Sequence, residues 1–307
     1  MSFVLSKRGT RSASYLRLKG PLYLRRKLGQ HLLISDGILN QIISASELPI
    51  TSSELVRVLE IGPGTGNLTS ALLKVGSHIT VHAVEYDSRM VRQLKLRFPT
   101  EIEAANIPYQ LSSLVISRLS RYMHRFATTF KCAVLLVQEE FALRLLAQPG
   151  HQNFSRLSAN TALVADITSI VEVPRHHFLP PPNVDSRVIK LVPRVASTPA
   201  LPSDDPLFFQ KFDALLRLCF VRKNKTLRAL LLEKTARSQY VFNNEALVNQ
   251  KDEHQVITER VEAALDASGL ISKRAVKVSV AEFIKLMHEL NEHGVGVRPS
   301  STRHFEI

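Results

Sequence analysis

The stretch Val56-Arg57-Val58-Leu59-Glu60-Ile61-Gly62-Pro63-Gly64-Thr65-Gly66-Asn67 decides the fold. Its first six residues are short, apolar and rich in β-branched side chains, which predicts a buried strand. Three glycines in five positions then turn the chain, and Leu68 to Val75 carries helical periodicity. Immediately downstream, HITVHAVEYD at 78–87 alternates like a strand and SRMVRQLKLRF at 88–98 has a helical period. Strand, turn, helix, strand and helix in this order predict a parallel α/β sheet. The glycine turn falls at the carboxyl end of the first strand, where a doubly wound sheet receives nucleotide-like ligands.

The same periodicities extend outward. Ile34 to Leu48 is expected as a helix with Ser35 or Asp36 at its N-cap. A helical stretch around Ser112 to Phe126 precedes a strand at Cys132 to Gln138 and a helix from Glu139 to Ala147. Ala165 to Val173 and Ser186 to Pro193 read as two further strands, and ASTPALPSDDP at 196–206 reads as a linker. Helical periodicity dominates 207–290. The division expected is a basic tail at 1–27, an α/β domain at 28–195, the linker, and a smaller helical domain at 207–307.

With 307 residues, 45% hydrophobic and 22% charged, the chain has length and apolar content for about two globular units. No run approaches the roughly 18 apolar residues of a membrane span, so no membrane partner is expected. Cys132 and Cys219 both lie in apolar runs, which points to buried thiols in a reducing compartment. A net charge of +13 favours a polyanionic partner, and nucleic acid leads that class. The basic residues cluster at Arg25-Arg26-Lys27, at Arg222-Lys223-Asn224-Lys225 and at Lys273-Arg274. The first 35 residues contain no Asp or Glu, which suits either a mitochondrial transit peptide or a basic RNA-contacting, nucleolar tail.

Two local features carry chemistry. The Gly62, Gly64 and Gly66 turn lets backbone come close to a ligand, but its spacing departs from a dinucleotide fingerprint because Asn67 stands where the third glycine would be. Glu85, at the end of the next strand, is placed to receive two ribose hydroxyls. Together they predict a nucleoside site, with Glu60 read as a strand-end carboxylate bracing nearby amides. The second feature is Asn106-Ile107-Pro108-Tyr109. The lone pair of an adenine amine is delocalised into the ring and must be oriented toward an acceptor. An Asn oxygen and a carbonyl at or before Pro108 can accept both N–H groups, while an adjacent aromatic ring stacks on the base. His176 and His177 lack the companion ligands of a metal centre, so no metal is expected.

These motifs, LGQHLL at 28–33, EIGPGTGN at 60–67, NIPYQLSS at 106–113 and FLPPPNVDSRVIKL at 178–191, resemble the ribosomal RNA adenine dimethyltransferase family. QEEFALRLLAQPG, CFVRKNKTL and KRAVKVSVAEFIKLMHEL are similar to its eukaryotic nucleolar branch. The resemblance implies a Rossmann-like class I methyltransferase sheet that binds S-adenosylmethionine through His31, Leu33, Gly62, Glu85 and Asn106, with Gly64 in the same loop. It implies that Asn106 orients the target amine and that Tyr109 and Phe178 sandwich a flipped adenine. The residues alone leave Tyr109 as a core aromatic and Phe178 as packing for the Pro180-Pro181-Pro182 run. Two transfers to one nitrogen would give N6,N6-dimethyladenosine in 18S, small-subunit ribosomal RNA, with a role in ribosome biogenesis. Arg222, Lys223 and Lys225 would grip RNA phosphates. A pre-ribosomal particle is the implied partner, a monomer the implied state and the nucleolus the implied compartment, with the mitochondrion as the alternative.

The chain departs from this family in one interval. Between Phe98 and Asn106 lie seven residues, PTEIEAA, where the family carries a strand and a Gly-Asp loop whose Asp contacts the cofactor's adenine. A strand, a crossover and a second strand need about 20 residues. No Gly-Asp pair occurs in this chain, and EIEAA has weak strand propensity. A non-catalytic RNA-binding assembly factor on the same fold is therefore the alternative function.

Overall fold

The computed structural model describes residues 24, 30–99, 102–105, 116, 119, 120, 122, 123, 125, 126, 129–194, 205, 207–242 and 253–299. Three parallel strands form the first sheet, in the order β2 (Val56–Ile61), β3 (Ile79–Val84) and β4 (Ile102–Ala105). Val58 lies opposite Val81, and Val81 opposite Ile102, so the three strands are in phase. β3 turns Ile79, Val81 and Ala83 into an apolar cluster completed by Leu72 of α2 (Asn67–Leu73), and Val56 and Val58 of β2 pack against the same cluster. Alternation at period two thus selects one face of each strand for the core.

The helices start where side chains satisfy their first free amides. Ser35 caps α1 (Asp36–Ala45) by accepting from the Ile38 N–H, so of the two candidate caps the serine is used. Asp87 does the same for α3 (Ser88–Arg97) through the Arg89 N–H. α2 starts instead on Gly66, whose φ of +83° is a left-handed conformation that favours glycine. A Cβ at Gly66 would lie 2.6 Å from a Phe98 ring carbon and 2.9 Å from a Leu94 methyl, so the third glycine also permits packing against α3.

The shortened interval differs from the sequence expectation. Ile102–Ala105 does form a strand, against its weak propensity, because β3 offers a parallel edge whose backbone groups it can pair with. Only one strand is gained there, in four residues, so the second strand of the family pattern has no counterpart among the described residues.

A second three-stranded sheet has the order β5 (Ala133–Gln138), β8 (Ser186–Pro193), β6 (Ala165–Val173). Central β8 is the most buried of the three, and its Ile189 and Leu191 join a large core with Phe208, Phe212, Leu215 and Leu216 of α6 (Phe208–Phe220). Asp205 starts α6 by accepting from the Leu207 N–H, and α9 (Glu253–Ser268) and α10 (Val280–Glu292) complete the helical part. Two short pairings, β1 (Leu32–Leu33) with β7 (Phe178–Leu179) and β9 (Tyr240–Phe242) with β10 (Val295–Val297), are antiparallel.

The chain separates into two compact units, 1–110 with 171–186, and 111–170 with 187–307. This differs from the division expected at 195–207. Residues 111–170 and β8 share one apolar core with the helices that follow, so packing continues through the segment read as a linker boundary. Residues 196–204 and 206 of that linker, and most of the basic tail, lie outside the described residues.

Candidate functional site

The loop between β2 and α2 is held from four sides. The Gly62 N–H donates to the Val84 carbonyl at 2.7 Å, and the Gly64 N–H donates to Glu85 Oε2 at 3.0 Å. Arg97 donates to the Thr65 carbonyl at 2.7 Å, and Asn67 Nδ2 donates to the Leu33 carbonyl at 2.9 Å. Gly62, Gly64 and Gly66 all have positive φ, and a Cβ on Gly62 would meet nothing within 4 Å. That position therefore opens onto space a ligand can fill.

Three buried carboxylates stand around this loop. Glu85 accepts from Gly64 and, through Oε1, from the Asp87 N–H at 2.9 Å. Carboxylates offer about four acceptor sites. Asp87 accepts from Gln30 Nε2 at 2.8 Å and from Arg89, whose guanidinium holds the carboxyl well below the usual range. Glu60 is only 6% exposed and accepts from the Thr69 hydroxyl at 2.6 Å. Burial pushes its pKa up to about 7, the Thr69 hydrogen bonds oppose that rise, and the charge of Glu85 adds to it. Glu60 thus ties the end of β2 to the first turn of α2, through both the Thr69 hydroxyl and the Thr69 backbone amide.

β1 and β7 close the other flank. Leu33 pairs with Phe178 and Leu32 with Leu179, the Ile34 N–H donates to the His177 carbonyl at 2.9 Å, and His31 Nδ1 donates to the Pro180 carbonyl at 2.8 Å. Phe178 is buried, beside the strand that Asn67 anchors. A Cβ on Gly64 would sit 2.8 Å from a Leu32 methyl, so the same loop and strand are in close contact.

His31, Leu33, Gly62, Gly64, Glu85 and Phe178 are therefore brought together, although they span 148 positions of sequence from 31 to 178. Asn106, Pro108 and Tyr109 lie outside the described residues. Sequence reasoning missed Gln30, Asn67, Thr69, Asp87 and Arg97 as the braces of the loop. Their signal was weak but present: Asn67 follows the glycine turn, Gln30 sits in LGQHLL and Asp87 follows Glu85 by two.

The basic cluster occupies the turn between α6 and α7 (Leu227–Leu231). Arg222 is exposed and ion-paired with Glu233, Lys223 donates to the Gln152 carbonyl, and Lys225 is exposed. Among the described residues, no three His, Cys, Asp or Glu converge as metal ligands, and no helix is long and apolar enough to cross a membrane.

A buried acid at the end of β3, a positive-φ Gly62 open to space and a loop fixed from its back fit the adenosine part of S-adenosylmethionine. Comparison with known proteins agrees. The chain matches the family described as ribosomal RNA adenine dimethylase over residues 22–103 and 101–268, two segments that meet in the shortened interval. It is 36% identical to a Caenorhabditis elegans protein named "Probable dimethyladenosine transferase", covering 86% of this chain and 89% of that one. It is also 36% identical to an Arabidopsis thaliana "Ribosomal RNA small subunit methyltransferase", covering 75% of this chain and 66% of the relative. The crystal structure of a dimethyladenosine transferase from Plasmodium falciparum superposes with a TM-score of 0.69 at 30% identity, over 87% of this chain and all of that one. The chain belongs to the ribosomal RNA adenine dimethylase family, whose methyl transfer depends on S-adenosylmethionine.

Proposed function

We propose that this chain, an S-adenosylmethionine-dependent ribosomal RNA adenine dimethyltransferase, acts on adenines of small-subunit (18S) RNA within a pre-ribosomal particle. The observation that supports the reading is that Glu85, which accepts from the Gly64 N–H, and Phe178, which pairs with Leu33, belong to one compact unit. Glu85 receives the ribose hydroxyls at the end of β3. Gly62 allows backbone to approach the ligand, Gly64 stands in the same loop, and His31 and Leu33 border it. Bound there, S-adenosylmethionine supplies an electrophilic methyl group.

Asn106 and the carbonyl at or before Pro108 accept the two amine hydrogens of the target adenine, which turns the nitrogen lone pair toward the methyl donor. Tyr109 and Phe178 hold the flipped base between their rings. Arg222, Lys223 and Lys225 hold phosphates on the RNA. The protein acts as a monomer in the nucleolus; a mitochondrial site of action is the alternative carried by its acid-free, basic N-terminus.

The test is methyl transfer from labelled S-adenosylmethionine to purified small-subunit RNA and to pre-ribosomal particles, with nucleoside analysis for N6,N6-dimethyladenosine. RNA binding without transfer or cofactor binding in folded protein would replace this reading by the non-catalytic assembly factor. Imaging a tagged full-length chain distinguishes nucleolus from mitochondrion.

A further inference from the structure

Tyr122 and Phe126 are 47% and 42% exposed, yet their rings stack, with centroids 5.9 Å apart and planes inclined by 22°. The Phe126 N–H donates to the Tyr122 carbonyl at 2.9 Å, so the pair spans one helical turn. On the same helical stretch Ile116 and Met123 are buried in the large core, while Tyr122 and Phe126 flank that face and stay exposed. The Arg125 guanidinium carbon lies 5.5 Å from the Phe126 ring centre. Exposed aromatic rings in a pre-formed stack, topped by a cation, have no core to serve.

The sequence around them carries charge of one sign. From Ala104 to Gln138 the sequence has no Asp or Glu, while Arg118, Arg121, Arg125 and Lys131 fall within it. An anionic ligand with flat apolar faces complements this surface, and unpaired nucleotides have both properties. We propose that the Tyr122–Phe126 stack is a platform for unpaired bases of single-stranded RNA. The proposal rests on the RNA-substrate reading above. Aromatic stacking tolerates any base, so the platform holds RNA without selecting its sequence.

The test uses the full chain. Fluorescence anisotropy with a labelled single-stranded oligoribonucleotide should show affinity falling roughly tenfold or more for each aromatic removed, as expected for loss of one stacked base. Tyr122→Ala/Phe126→Ala should show both losses, and Tyr122→Phe should restore the tyrosine's share. Affinity for S-adenosylmethionine and for duplex RNA should stay unchanged. Arg125→Gln should lower the salt dependence of binding, which the double alanine variant should not. In wild-type protein, photo-crosslinking to thiouridine-containing RNA should label the peptide holding Tyr122 and Phe126, a readout independent of any variant's folding. A folded double variant with unchanged RNA affinity, or crosslinks that avoid this peptide, overturns the platform and leaves the RNA-substrate reading intact. Unchanged RNA affinity together with loss of a protein partner would assign the pair to a protein contact and likewise overturn it. Failure of wild-type protein to bind any RNA overturns both.

Discussion

β2 and β3 lie side by side in one sheet, have equal length and similar apolar content, and meet different fates. Every second residue of β3 is buried and the intervening ones are half-covered, whereas β2 leaves Leu59 and Ile61 exposed at 62% and 42%. The two strands share the face that packs on α2; they differ in neighbours. β3 is flanked by β2 and β4, but among the described residues β2 pairs only with β3. A strand's side chains are shielded partly by those of the strands beside it. The interval from Phe98 to Asn106 has room for β4 alone, and the family match breaks at the same place.

The sealed side of this sheet should be the sensitive one, and several substitutions can break that contrast. Gly66→Ala combines a positive φ with a Cβ 2.6 Å from Phe98, which should destabilise by about 3 kcal/mol from strain and overpacking together; chemical denaturation measures it. A similar effect from alanine at the unobstructed Gly62 would refute the packing argument and leave backbone strain alone.

Glu60 gives a pH signature of about the same size. Its pKa near 7 exceeds the ordinary 4.5, so between those values the native state keeps a proton that the unfolded chain has lost. The stabilising contribution of this group is full below about pH 4.5 and lost as pH rises through about 7, a change of about 3 kcal/mol. Glu60→Gln should remove that fall from the pH–stability profile, so its advantage over wild type grows from pH 5 to pH 8. A profile identical to wild type would show that Glu60 is not held neutral.

Removing the Glu85 carboxylate leaves the Gly64 and Asp87 amides without it and deletes the proposed ribose acceptor. Calorimetry on Glu85→Ala should show S-adenosylmethionine affinity weakened by about a hundredfold, on the order of two charged hydrogen bonds. Unchanged affinity would move the cofactor away from this loop. The smallest contrast is the most direct. Val81→Ala, at a site with no exposure, should cost about 2 kcal/mol, while Leu59→Ala on the neighbouring strand should cost under about 0.5 kcal/mol. Equal costs would mean that β2 is covered as well as β3.

Much of this was legible in the chain. The strand at Val56–Ile61, the helix over Ser88–Arg97 and the strand at Ala165–Val173 follow from periodicity, and the strand at Ser186–Pro193, buried on both faces, follows from its apolar run. Glu85 was legible from its place at a strand end. The braces of its loop were less so, since Asn67, Arg97 and Gln30 act across 34, 32 and 57 positions of sequence. Local pattern does not encode partners at that distance. The strand at Ile102–Ala105 ran against local propensity and formed because β3 had an edge to offer.

By itself, then, the sequence determined the order of elements, the glycine loop, the excess positive charge and the family motifs, all set by local backbone preference and side-chain chemistry. Tertiary structure alone decided that β4 forms, that β2 has one neighbour among the described residues, that residues 111–170 share a core with the C-terminal helices, and that Tyr122 and Phe126 face outward as a stack. Those outcomes depend on which surfaces remain to be covered once distant segments meet, and burial is settled only at that meeting.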